Sequence, residues 1–420
     1  MNSCLVLAAL ALSPAFCSAA AKPQSPSTPS GAVTVQADPA AKLADAPLAA
    51  TRAELLRLAF EAASAMPVNP HIKSRSKSQE LAVTTCVELS QAKTAFAFSE
   101  RIENWRRGAA FAELALHCVR NGGDAAVTDR LIDLAYAEAE APAEELGQDW
   151  RRDRIRSKIA QALMLRGEVE TAAIFKAGLT DAEAGKLAAF EAGLMPEDRF
   201  DGFLSVLEHG VAAGNFDMTL YAMTAVREMY RRFYSSAERR AILESKLEVL
   251  WVKSPIALRA ETLLSFAQTA ADNADKDNGL ALLERAAKLI DGANWTAQQF
   301  AEVMGATARC QKTLGQADAA RASLRRAEDK FAAERESIWN FERAAVLRPI
   351  ALAQAAIGDS AAALATFRRA FDDGAENPNG RPRAEDLTAT CCALAQSGLE
   401  PGEELMKRVR EIRAGLKAPW

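Results

Sequence analysis

From Thr51 to Trp420, apolar residues recur three and four positions apart almost without pause, and this spacing constrains the fold more than any other feature. Residues at i, i+3, i+4 and i+7 share one face of an α-helix, so each stretch reads as a helix with one stripe to bury. Leu55, Leu58, Ala59 and Ala62 make one stripe; Leu131, Leu134 and Ala135 another; Leu247, Leu250 and Trp251 a third. Breaks fall at Asn121-Gly122-Gly123, Gly167, Pro196, Gly214-Asn215, Pro255, Gly292, Gly315, Gly358, Pro378-Asn379-Gly380 and Gly398. Helices of about 12 to 20 residues fit between them, the length of packed hairpins. The apolar residues are mostly Ala and Leu, and only 6% of the chain is aromatic. Helices favour that mixture and strands do not. The expected fold class is all-α.

A longer period runs through the helices. Ala308 is followed seven residues later by Gly315, then by Ala320, Leu324 and Ala327; Ala351 opens the same series with Gly358, Ala363, Phe367 and Ala370. The spacing has a steric logic. A late Ala in the first helix lets the second approach, the Gly ends the first helix where left-handed angles are needed, and the next Ala faces the point of closest approach. Both units closely resemble the tetratricopeptide repeat. Looser copies start at Ala115 with Gly122, at Ala160 with Gly167, at Phe203 with Gly214, and at Ala267 with Ala274. The resemblance implies a right-handed α-solenoid of tetratricopeptide-like hairpins over 51–420, with the best repeats at 301–334 and 344–377. Anchors recur about every 40 to 47 residues against a family period of 34, so the repeats are expanded or irregular. HEAT-type arrays share the longer period and stand as the structural alternative, with an irregular helical bundle as the plainest one. First-helix residues line the concave face in the family. The resemblance therefore implies a binding face at Arg154, Ser157 and Gln161, at Glu302, Arg309, Lys312 and Thr313, and at Ala345, Arg348 and Leu352.

The first residues read as an address. An apolar run from Leu5 to Leu12 precedes Ala19-Ala20-Ala21, the pattern of a secretory signal peptide over 1–21, although no Lys or Arg precedes the run. Residues 22–50 are rich in Pro, Ser, Thr and Ala without apolar periodicity and read as a disordered linker. The expected location is periplasmic or extracellular. No later stretch approaches the roughly 20 apolar residues of a transmembrane helix.

Catalytic and cofactor motifs are absent from the sequence. The three histidines, His71, His117 and His209, sit in no ligand spacing, with His71 expected in a loop. There is no nucleophile elbow, no phosphate-binding glycine loop and no C-x-x-C pair. Cys86, Cys118, Cys310, Cys391 and Cys392 follow the signal segment, and an odd, scattered set does not suggest a disulfide framework. Those among Ala and Leu read as small buried hydrophobes. Acidic pairs at Glu144-Glu145, Asp372-Asp373 and Glu403-Glu404 read as solvated charge near helix ends. No cofactor or metal is expected. With 51 basic and 55 acidic residues, the chain carries no charge excess suited to nucleic acid. Two basic clusters, 150–158 and the Arg/Tyr/Phe mixture from Arg227 to Arg240, read chiefly as structural faces, with anion binding as the functional alternative.

These features point to an exported scaffold, not an enzyme, that binds an unknown protein or peptide through its concave face, at Arg154, Gln161, Glu302, Arg309, Lys312 and Arg348. Two alternatives stay open: an enzyme or enzyme accessory with a site in the irregular 181–251 region, and an envelope protein that self-assembles by stacking solenoid ends.

Overall fold

The computed structural model describes residues 38–141, 148–213, 216–251 and 254–420. The expected signal segment, the linker up to residue 37, Glu144-Glu145 and the expected break at Gly214-Asn215 lie outside these residues. Among the described residues all regular structure is helical, apart from an isolated bridge between Asp45 and Gln91. The helices are α1 (Pro39–Lys42), α2 (Ala50–Ala65), α3 (Val68–Glu88), α4 (Ala92–Ser99), α5 (Arg106–Arg120), α6 (Ala125–Ala139), α7 (Asp149–Leu165), α8 (Val169–Lys176), α9 (Asp181–Ala192), α10 (Phe200–Ala213), α11 (Phe216–Arg232), α12 (Ala237–Leu250), α13 (Ile256–Asp272), α14 (Lys276–Asp291), α15 (Ala297–Thr313), α16 (Ala317–Glu334), α17 (Asn340–Ile357), α18 (Ser360–Ala375), α19 (Gly380–Gln396) and α20 (Glu403–Ala414). None of them is long and apolar enough to cross a membrane.

Six hairpin turns share one construction. Ser90, Gly122, Gly167, Ala274, Gly315 and Gly358 all adopt left-handed backbone angles, with φ between 56° and 91°. In each, the next N–H reaches back to the carbonyl five residues earlier, as Asp359 does to Gln354 at 2.9 Å and Asp275 to Ala270 at 2.9 Å. This is the Schellman closure of a helix C-terminus. Seven residues before each turn stands a small or β-branched apolar residue with 0% exposure: Val83, Ala115, Ala160, Ala267, Ala308 and Ala351. The sequence pattern located four of these turns by their glycines and a fifth, at Ala274, by spacing. The turn at Ser90 was hidden, because Ser occupies the position where Gly is the signal.

Odd-numbered helices from α3 to α19 pack side by side in chain order, whereas even-numbered helices pack chiefly on adjacent odd ones and scarcely touch one another. The odd helices therefore line the inside of a curve. The curve closes: α2 and α3 pack on α19, and buried residues of α2 to α8 share one apolar core with those of α17 to α20. A second core runs from Ala189 to Ala370. At the closing seam, the Arg52 Nε–H donates to the Ala395 carbonyl at 2.9 Å, and Arg410 holds both Glu54 carboxylate oxygens at 2.8 Å. The repeat pattern predicts a curved array with two free ends; here the last hairpins cover the first. The physical reason is the small-residue face of α2, where Ala59, Ala62 and Ala63 are fully buried and admit a close neighbour.

Three further expectations need correction. The expected linker does not extend to residue 50. Asp38 caps α1, Lys42 pairs with Asp124 at 2.9 Å, and Asp45 accepts from the Thr94 N–H at 3.0 Å and its hydroxyl at 2.7 Å. The Gln91 side chain donates to the Ala46 carbonyl at 2.9 Å, so 38–50 is docked on the turn between α3 and α4, on α4 and on α6 through its polar groups. Asp373 is buried and held by Arg335 at 2.6 Å, so Asp372-Asp373 is not simply solvated charge. His71 falls inside α3, at a kink where Asn69 and His71 leave helical angles, instead of in a loop.

Candidate functional site

The inner wall is stitched by charge pairs between odd helices. Glu80 on α3 accepts from Arg106 on α5 and, at 2.5 Å, from Arg154 on α7. Lys158 on α7 reaches Glu113 on α5, and Arg227 on α11 lies 3.7 Å from Glu261 on α13. Burial alone would raise the Glu113 carboxyl, but the Lys158 ammonium overrides it and holds the pKa below the usual carboxylate value. His117, one turn before Arg120, is shifted down by partial burial, with Arg120 adding to the shift and Glu113 opposing it.

Two neighbouring concavities open on this wall. One, of about 640 Å³, is framed by the C-terminal ends of α5, α7, α9 and α11, with Arg120, Gln161, Lys186, Phe190, Glu228 and Arg232 among its lining side chains. The other, of about 490 Å³, lies across α11, α13 and α15, between Arg227, Glu261, Gln268, Asp272 and Arg309. They share Thr224, Glu228 and Arg231, so they form one trough. Arg309 is exposed and makes no ion pair among the described residues, yet the surrounding wall desolvates its guanidinium and lowers its pKa from the usual value. The same desolvation pushes the Glu261 carboxyl up, with Arg227 opposing.

The structure divides the positions expected to bind. Gln161 and Arg309 line the trough. Lys312 is exposed one turn further along α15, and Glu302 is exposed near its start, accepting from Gln298 at 3.0 Å. Arg154 and Arg348 are committed to the fold instead. Arg154 is bound to Glu80 and overlies Trp105 at 5.5 Å. Arg348 pairs with Asp386 on α19 at 3.0 Å and also reaches Thr390. Sequence reasoning missed Arg120 and Lys186. The signal for Arg120 was present: it stands five residues after the repeat Ala115, as Asp272 stands after Ala267, and both face the trough.

The basic clusters resolve differently. In 150–158, Arg152 pairs with Asp149 and Asp153, Arg156 donates to the Ile174 and Ala177 carbonyls, and Lys158 holds Glu113, so the cluster is spent internally. In the second, Tyr230 is fully buried, stacked on Phe266 at 3.6 Å, and donates to Glu244 at 2.6 Å. Asn278 joins Tyr230, Tyr234 and Glu244, while Tyr234 donates to Asp275 at 2.9 Å. This polar network lies in the region left open for an enzyme site, but it ties α11, α12 and α14 together and lines neither concavity of the trough. Among the described residues, no group of three or more His, Cys, Asp or Glu side chains converges as a metal site would require. The five described cysteines are free and buried, and burial pushes the Cys118 thiol up to about 11 and the Cys310 thiol to about 12.

No family model, curated protein or solved structure matches this chain.

Proposed function

We propose that this chain is an exported, tetratricopeptide-like helical-repeat scaffold whose inner wall holds an extended segment of another protein. The observation that carries this is the trough: a continuous, solvent-open depression built from successive odd helices, with Arg309 offering donors that no neighbour among the described residues uses. An extended peptide presents spaced carbonyls and side chains, and a row of parallel helices presents side chains at a matching series of positions. The shared turn construction supports a repeat origin for the wall. End-to-end self-assembly is less favoured, because the terminal hairpins already cover each other. Export rests on the signal-like pattern of 1–21.

Site-directed photocrosslinking tests the proposal. A crosslinker at Gln161 or Arg309 is expected to capture the same protein from the native envelope fraction. A crosslinker at Arg321, exposed on α16 of the outer layer, is expected not to. Equal capture from both layers, or capture from neither inner position, removes the inner wall as the binding surface.

A further inference from the structure

The 640 Å³ end of the trough is unlike the rest of the wall. Arg120, Lys186, Arg231 and Arg232 line it against a single carboxylate, Glu228. Glu228 serves Arg231, and Lys186 is paired with Glu183 at 2.5 Å. Among the described residues neither Arg120 nor Arg232 makes a salt bridge: Arg120 acts on the Glu113 carboxylate only through its field, and the two guanidiniums lie over aromatic rings, Phe190 and Phe233, each at 5.9 Å. Several other cations of the wall are matched, Arg106 and Arg154 by Glu80, and Arg348 by Asp386. The helix C-termini that frame the concavity contribute partial negative charge, but that field falls off within the last turn and is screened at an open site. It offsets the excess in part and leaves two guanidiniums with unused donors.

We propose that this end of the trough binds the carboxylates of an acidic peptide segment, seated on Arg120 and Arg232 while Phe190 and Leu194 cover its apolar side chains. The inference rests on the peptide-scaffold reading above and gives it a ligand chemistry. Guanidinium groups suit carboxylates because two parallel N–H donors meet two oxygens. Glu228, Glu261 and Asp272 further along the trough repel a continuous polyanion, so a chain with charge at one end and neutral or basic residues at the other fits where a phosphate polymer does not. An exposed Leu194 at 45% gives the seat an apolar edge that a free inorganic anion has no use for.

Fluorescence anisotropy on the full chain tests this with three labelled eight-residue peptides: alternating Glu-Leu, the same with Gln for Glu, and the same with Lys for Glu. The Glu peptide is expected to bind at least tenfold more tightly than the Gln peptide. R120E/R232E is expected to lose at least tenfold for the Glu peptide and to gain affinity for the Lys peptide, while R321E on the outer layer changes neither. Circular dichroism melts establish that the variants fold, and the peptide comparison on the unaltered chain stands without them. Equal binding of Glu and Gln peptides overturns the acidic specificity and leaves the scaffold intact. Failure of all three peptides to bind overturns both. Displacement of the Glu peptide by millimolar inorganic phosphate, beyond that of chloride at equal ionic strength, reassigns the seat to a free anion.

Discussion

The Thr388 hydroxyl proton is shared between the Ala384 carbonyl of its own helix at 2.8 Å and the Ala59 carbonyl at 3.1 Å, the latter across 329 positions of sequence, joining the penultimate helix to the second. Thr388 is fully buried, as is Ala59, so the bond lies inside the seam that closes the array.

Widening that seam is expected to loosen both sides of it together. Ala59→Leu places three more carbons against α19 and is predicted to destabilise the protein by about 1 to 3 kcal/mol, the usual range for overpacking. Hydrogen-exchange mass spectrometry on this variant is expected to show faster exchange in α2 and α19 alike, with α13 and α15 unchanged. Acceleration confined to α2 would mean that the seam does not couple the two ends.

The turn residues give a pair of opposite effects. Gly358 has φ 91° and open space around its missing side chain, so Gly358→Ala suffers from backbone angle alone. A loss of about 1 to 2 kcal/mol is expected in chemical denaturation. Ala274 already bears that strain at φ 59°. Ala274→Gly is predicted to stabilise by about 0.5 to 1 kcal/mol, after allowing for the freer unfolded chain.

Asp386 sets a pH dependence of unusual sign. Burial raises its carboxyl from 3.8 to about 6, with Arg348 opposing the shift and Glu385 adding to it. A folded-state pKa above the unfolded value contributes stability that is full below the unfolded pKa and is lost as pH rises through the folded one. The window is therefore pH 4 to 6. From 3.8 to about 6, the swing corresponds to roughly 3 kcal/mol. Relative to Asp386→Asn, the unaltered chain is expected to gain stability as pH falls from 7 to 4, measured by urea midpoints across that range. A difference between the two that stays flat over the window would remove Asp386 as its source.

The cysteines report on both packing and export. All five described thiols are buried and free, so a neutral thiol reagent is expected to find none in the native chain. In denaturant, the chain recovered from its native host should titrate five thiols after loss of 1–21, because Cys4 and Cys17 leave with that segment. Seven thiols would show that the segment is retained.

Helix content and most turns were legible in the sequence because they depend on neighbours within ten residues. Apolar spacing marks a helix face, and Gly315 or Gly358 marks its end. Ser90 escaped because the same angles can be forced on a residue that ordinarily avoids them. Ring closure was not legible: Ala59 and Thr388 carry nothing that names each other. Arg348 read as a binding residue because its neutralising partner, Asp386, arrives from the next odd helix. Arg309 lines the trough, and among the described residues no such partner reaches it. The docking of 38–50 depended on Asp45 meeting Thr94, a contact between polar groups that apolar periodicity cannot register.

A circuit without ends has a topological consequence. A polypeptide tail reaches the interior by threading, whereas a segment flanked by folded domains enters only when α2 and α19 part. On the proposed peptide-scaffold reading, occupancy by such a segment is governed by how often the junction opens, and a guest once enclosed departs slowly even when each of its contacts is weak.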